Sequence, residues 1–160
     1  MNAIERLESL TVGDIMTDTV VQVGTHHSMC EVARTMRESR VSLVPVVDDR
    51  GRALGVLSAY DFVLREAERC DNLSDSQTAC DDTNASESPA GIHMTRSIQS
   101  IAAGASVLEA AQLLFSEHLH RLLVLDAKGR PQGVVSTMDV ISALVNSVEE
   151  MRITQTVRAR

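Results

Sequence analysis

Two segments carry the side chains best placed to do chemistry: Gly55-Val56-Leu57-Ser58-Ala59-Tyr60-Asp61 and Gly133-Val134-Val135-Ser136-Thr137-Met138-Asp139. In each, an apolar run that reads as a strand ends in Ser, a helix begins, and Asp follows three residues later. Ser-x-x-Asp at such a junction is close to a capping box, in which hydroxyl and carboxylate satisfy N–H groups left free at a helix start. Ser28-x-x-Glu31 and Ser106-x-x-Glu109 have the same form and are expected to be caps and nothing more. The same groups hydrogen-bond ligands as readily as backbone. Capping and binding therefore both stand as readings of Ser58, Asp61, Ser136 and Asp139.

Other chemistry finds little support. His26 and His27 adjoin in a turn, and His118-Leu119-His120 reads as two imidazoles on one side of a strand. Neither pair has a third ligand at consistent spacing, so no metal site is expected. The three cysteines form no zinc pattern. Cys30 aligns with Leu108 and reads as a small buried apolar residue, whereas Cys70 and Cys80 read as exposed thiols open to redox partnering. No nucleophile elbow, P-loop or dinucleotide fingerprint is present, so no catalytic residue is assigned and an enzyme is not expected. Tyr60, Phe62 and Phe115 are the only aromatics, too few to stack successive bases. Tyr60 is expected to pack against the neighbouring repeat.

These segments sit in a larger pattern. Displaced by 78 positions, the chain meets itself without a gap, and fourteen residues from Gly13 through Asp61 find identical types from Gly91 through Asp139. Roughly three such matches would arise by chance, so the chain is a tandem repeat. Each copy reads as strand, helix, strand, strand, helix. Val20 to Val23 forms the first strand, and Met29, Val32, Ala33 and Met36 mark one face of a helix over Ser28 to Glu38. Leu43-Val44-Pro45-Val46-Val47 is apolar on both faces and reads as a buried strand. A turn at Asp48 to Arg52 leads into Ala53 to Leu57, and Asp126 to Arg130 does the same in the second copy. The closing helices are expected over Ser58 to Arg69 and Ser136 to about Val148. The second carries an apolar stripe, Val140, Ile141, Leu144, Val145 and Val148, that predicts burial under the N-terminal segment or against a second chain.

The fold class is thus α/β (α+β), with repeat 1 over 11–69, an acidic polar linker over 70–90, repeat 2 over 91–148 and a tail over 149–160. The linker reads as a loop and holds most of the net charge of -7, leaving the rest close to neutral. No basic face for nucleic acid is expected. No membrane segment or signal peptide is apparent, and the chain is expected to be cytoplasmic.

Met-Thr at Met16 and Met94, the apolar strands ending in Asp48 and Asp126, the Gly turn and the Gly-x-x-Ser-x-x-Asp exit recur in one order. Together they resemble the CBS domain, named from cystathionine beta-synthase, and two in tandem resemble a Bateman module over roughly Thr11 to Val148. The resemblance implies a regulatory module that binds AMP, ADP, ATP or S-adenosylmethionine in clefts between the repeats, forms a homodimer through its helices and relays a shape change to an effector protein. It places Ser58 and Asp61 at one cleft and Ser136 and Asp139 at the other, with Ser on phosphate or sugar oxygens and Asp on ribose hydroxyls. A carboxylate suits paired hydroxyls, and a helix N-terminus suits a phosphate. Val20, Val21, Val44, Pro45, Ile98, Leu122 and Leu123 are the implied contacts of the adenine. Many members carry Arg just before the motif Asp, where this chain has Tyr60 and Met138; Arg121 alone matches a basic position near phosphates. Little positive charge favours AMP, ADP or an adenosyl compound over ATP. The alternative is an interaction module whose clefts are vestigial.

Overall fold

The computed structural model describes residues 5, 9–75 and 87–158. In chain order the elements are α1 (Val12–Ile15), β1 (Val23–Gly24), α2 (Met29–Ser39), β2 (Leu43–Val47), β3 (Ala53–Ser58) and α3 (Ala59–Asp75). The second half repeats the series as α4 (Ala90–His93), β4 (Ser100–Ile101), α5 (Val107–Ser116), β5 (Arg121–Leu125), β6 (Pro131–Ser136) and α6 (Thr137–Arg158). The fold is mixed α/β, with two three-stranded sheets of order β1-β2-β3 and β4-β5-β6. In each sheet the first pair is parallel and the second is antiparallel.

The β-hairpin turns are built alike. Gly51 and Gly129 both sit at φ 75, where a side chain would be strained. Asp48 Oδ1 accepts from the backbone N–H of Arg50 and of Arg52, each at 2.9 Å, and Asp126 Oδ1 accepts from Lys128 and Arg130 at 2.8 Å. The backbone N–H donors and the arginine charge hold both carboxyls below their ordinary value. The register then slips by one residue between Val46 and Val47, and again between Val124 and Leu125.

Alternation along the strands sorts their side chains. Val44, Val46 and Leu57 face Val32 and Met36 of α2 in one core; Leu122, Val124 and Val135 face Ala110 and Leu114 of α5 in the other. Each fully buried side chain of this size contributes about 1.5–3 kcal/mol relative to exposure. Ser147, buried at 2% exposure on α6, satisfies its hydroxyl by donating to the Ala143 carbonyl at 2.7 Å.

The chain forms two compact units that do not coincide with the two repeats. One comprises Met1–Val20 with Gln99–Arg160, the other Val21–Ile98. The opening helix of each copy is thus built into the body of the other. Val12 of α1 lies in the core of β4-β5-β6, with N–H bonds from Val12 to Ala105 O and Gly13 to Ala103 O at 2.8 Å. Ala90 and Met94 lie in the core of β1-β2-β3, with Ala90 N–H donating to His27 O at 2.8 Å and Gly91 N–H to Thr25 O at 3.0 Å.

Several sequence expectations are corrected. The first strands are shorter and start later than Val20, and the four-residue opening helices carried no periodic signal. Helix α3 continues through residues 70–75, assigned to the linker loop by composition. Cys30 is exposed on α2 and Cys70 is exposed on α3, so the buried reading of Cys30 fails; Cys80 lies outside the described residues. His118 lies in the turn after α5, in the left-handed region at φ 54 and before β5 starts, so His118 and His120 are not strand neighbours. Tyr60 is 66% exposed and is not packed away.

Candidate functional site

Each motif begins where a glycine lets two backbones touch. A Cβ at Gly55 would lie 2.8 Å from Thr95 O and from Met94 Sδ, and one at Gly133 would lie 2.9 Å from Thr17 O and 2.5 Å from Met16 Sδ. Such contacts are sterically forbidden, so only glycine admits the Met-Thr segment at the strand edge. There Val56 and Thr95 exchange two N–H···O bonds of 2.9 Å, as do Val134 and Thr17. Three residues beyond each glycine the strand delivers its Ser.

The Ser–Asp pairs have the same geometry in both units. Ser58 donates its N–H and its hydroxyl to Asp61 Oδ2 at 2.6 and 2.7 Å, and Ser136 donates likewise to Asp139 Oδ2 at 2.7 and 2.6 Å. Asp139 N–H returns a bond to Ser136 Oγ at 3.3 Å. The capping box is thus complete at Ser136 and Asp139, whereas at Ser58 and Asp61 its carboxylate half is made. Ser28–Glu31 and Ser106–Glu109 cap in the same manner, with donation by the serine N–H and hydroxyl holding both glutamates below their usual pKa. A difference separates the pairs: the glutamates are exposed, whereas Asp61 and Asp139 are half-buried at a strand-to-helix junction. Among the described residues, Oδ1 of each Asp has no hydrogen-bond partner.

The units divide the sequence candidates. Ser58, Asp61, Val21, Val44, Pro45 and Ile98 belong to one, and Ser136, Asp139, Arg121, Val20, Leu122 and Leu123 to the other. Register then splits each set by face. Leu43 stands opposite Ser58 and Pro45 opposite Val56, on the motif serine's face. Val44 stands opposite Leu57 and is fully buried in the helix-packed core, as is Leu122 opposite Val135. On the second sheet Leu123 opposes Val134, and Arg121 stands directly opposite Ser136. Directly opposed side chains lie about 4.5–5.5 Å apart at Cβ, which brings the exposed Arg121 alongside Ser136. Its counterpart in the other sheet is Leu43, so this strand position carries a cation in the second sheet only.

A cavity of about 350 Å³ opens beside Asp61. Arg65, Glu68 and Arg69 of α3 line it with His93 of α4. Burial, and secondarily the Arg65 charge, push the His93 pKa down, and Ser88 Oγ lies 2.8 Å from His93 Nε2. Sequence reasoning missed this cluster. The only trace was the four-residue step from Asp61 to Arg65, since His93 arrives from the other copy's opening helix. Two further grooves lie between helices: about 200 Å³ between α2 and α3 beside Cys30, and about 540 Å³ between α5 and α6, lined by Leu114, Phe115, Leu119, Val140 and Ile141. His26 and His27 stack at 4.5 Å, and His27 Nδ1 accepts from Gly24 N–H at 2.9 Å. Among the described residues no three His, Cys, Asp or Glu side chains gather to hold a metal, and no helix is long and apolar enough to cross a membrane.

Residues 12–68 and 90–146 each match the family described as the CBS domain. A crystal structure of CBSX2 in complex with AMP is 28% identical, with a TM-score of 0.68 over 85% of this chain and 96% of that one. The CBS domain pair of protein MJ0100, in complex with 5′-methylthioadenosine and S-adenosyl-L-methionine, superposes with a TM-score of 0.68 over 86% of this chain and 96% of that one; at 20% identity the likeness is one of fold. A 5′-AMP-activated protein kinase subunit gamma of Dictyostelium discoideum is 24% identical over 156 residues, covering 92% of this chain and 26% of that protein.

Proposed function

This chain belongs to the CBS domain family, and from that premise we propose that it is a regulatory module that senses an adenosine-containing ligand at its two Ser–Asp sites. The observation that carries this reading is the half-used carboxylate. Asp61 and Asp139 cap their helices through Oδ2, and Oδ1 stays available for the ribose hydroxyls, which pair with a carboxylate through charge-assisted bonds. Pro45 and Leu123 lie on the serine's face of each sheet but are buried, so the apolar surface for the adenine falls to the half-buried Val20, Val21 and Ile98. Val44 and Leu122 contribute backbone, their side chains being core. Arg121 beside Ser136 reads a phosphate at the second site, and Leu43 reads none at the first. The binding of AMP by a 28% identical neighbour supports the ligand class.

The module acts by relaying a change of shape to an effector protein, from a cytoplasmic homodimer. The stripe on α6 supports the dimer: Ile141, Leu144, Val145 and Val148 are each 40–49% exposed in the single chain. Titration calorimetry with AMP, ADP, ATP and S-adenosylmethionine tests the reading. Binding by AMP, ADP or S-adenosylmethionine more tightly than by magnesium-free ATP is expected, because a single arginine faces the second site. A second reading, an interaction module with vestigial sites, is favoured by the use of both aspartates as helix caps, complete as a box at Ser136 and Asp139. No heat with any of these ligands would establish it.

A further inference from the structure

Each unit seats one opening helix on the turn after its first strand, and the two seats differ in chemistry. In the unit of β4-β5-β6, Val12 and Gly13 of α1 donate to Ala105 and Ala103, and Ile15 packs on that core. In the unit of β1-β2-β3, Ala90 and Gly91 of α4 donate to His27 and Thr25. At the 78-residue offset, Gly104, Ala105 and Ile15 stand where the α4 seat has His26, His27 and His93. Three imidazoles are thus gathered at one seat and replaced by neutral, mostly apolar residues at the other. His27 Nδ1 accepts from Gly24 N–H at 2.9 Å, a role open only to the neutral ring. The His26 ring stacks on it with centroids 4.5 Å apart, so two imidazolium charges there would repel. Glu31, with Arg34 beside it, faces His27 and moderates that cost, although its carboxylate already accepts from the Ser28 N–H and hydroxyl. His93 closes α4 beside Arg65, with Asp61, Glu68 and Arg69 on the same cavity wall and Ser88 Oγ at 2.8 Å. Burial first, and the Arg65 charge second, push the His93 pKa below the ordinary 6.5. A group held down in this way takes its proton more readily once it reaches water. Its contribution to the seat is complete above 6.5 and is lost as pH falls toward the lower folded value. The α1 seat has no imidazole at these positions, and its Asp14, held below 3.8 by donation from Thr11, stays charged throughout that window.

We propose that α4 is a proton-operated latch: protonation of His27 and His93 releases it from the Thr25–His27 turn and, with it, frees the Met94-Thr95 segment from the edge of β3. The reach to β3 is direct. Thr95 follows the end of α4 by two residues and exchanges both backbone bonds with Val56, two residues before Ser58. Mild acid therefore loosens the first Ser–Asp pair and spares the second. Hydrogen exchange of the full chain, read at single amides and corrected for its intrinsic pH dependence, tests the latch. Between about pH 7.5 and about pH 5.5, a span bracketing the ordinary histidine value, the Ala90, Gly91 and Thr95 amides are expected to lose about three- to tenfold of their protection, the scale of one histidine shifted by up to about a unit. Val12, Gly13 and Thr17, the corresponding donors of the other unit, should keep theirs. His27→Asn with His93→Gln retains an acceptor for Gly24 and a polar partner for Ser88 but cannot take the charge, and should abolish the loss. His93→Gln alone should remove most of it, which serves if the double variant does not fold. Equal losses at α1 and α4, no loss at α4, or a loss undiminished in His93→Gln would overturn the latch.

Discussion

Asp61 and Asp139 each have two oxygens with two different employments, and this makes their roles separable by mutation. Removing a cap costs about 0.5–2 kcal/mol of stability, and Asp139→Ala should lower the unliganded melting temperature correspondingly. If Oδ1 holds ribose, ligand affinity should fall by about tenfold or more, read by calorimetry, beyond what the stability loss explains. Damage confined to stability would leave only the cap. Gly133 is the second residue whose identity is forced. A methyl group there meets the Thr17 carbonyl, and strain of this kind costs about 1–3 kcal/mol; Gly133→Ala should therefore show a clear fall in denaturant midpoint. Both residues were legible in the sequence because they recur at a fixed offset. Arg65 and His93 were not, because neither recurs and because a helix face meets a distant segment only in the fold. Cys30 misled for the opposite reason: its repeat partner Leu108 is apolar, yet the position lies toward the surface of its helix.

At the level of elements, the sequence read well wherever periodicity ran long enough to be counted. Helices α2 and α5 and the hairpins β2-β3 and β5-β6 stand within a residue or two of expectation, since capping boxes and Gly turns mark their ends. The opening helices escaped because four residues make barely one turn. Helix α3 outruns its expected end because polar composition reads as loop, although nothing between Arg69 and Asp75 breaks a helix. The hairpin turns allow a test by pH. Asp48 is held below its ordinary value of 3.8 mainly by the Arg52 N–H, so the turn's contribution is complete above that value and is lost as pH falls through the lower folded one. Asp48→Asn should lower the melting temperature at neutral pH and make it fall less steeply below about pH 4, the carboxylate range.

For the whole molecule, the duplication was plain in the sequence, but the composition of its two bodies was not. A uniform offset assigns each opening helix to its own copy, and only the hydrogen bonds of Val12, Gly13, Ala90 and Gly91 assign it to the other. The stripe on α6 was legible as apolar, and in the single chain it remains open at Leu144 and Val148. If a second copy covers it, Leu144→Glu should convert a dimer to a monomer in analytical ultracentrifugation with little change in the far-ultraviolet spectrum, since the residue is 42% exposed and outside both cores.

The traded opening helices also bear on ancestry. A gene for one repeat would encode a polypeptide whose first helix has no seat in its own body, because the sheet edge it fits belongs to the other copy. Such a progenitor could complete itself only by lending that helix to a sister and borrowing one in return. Joining two such genes end to end would make the loan internal.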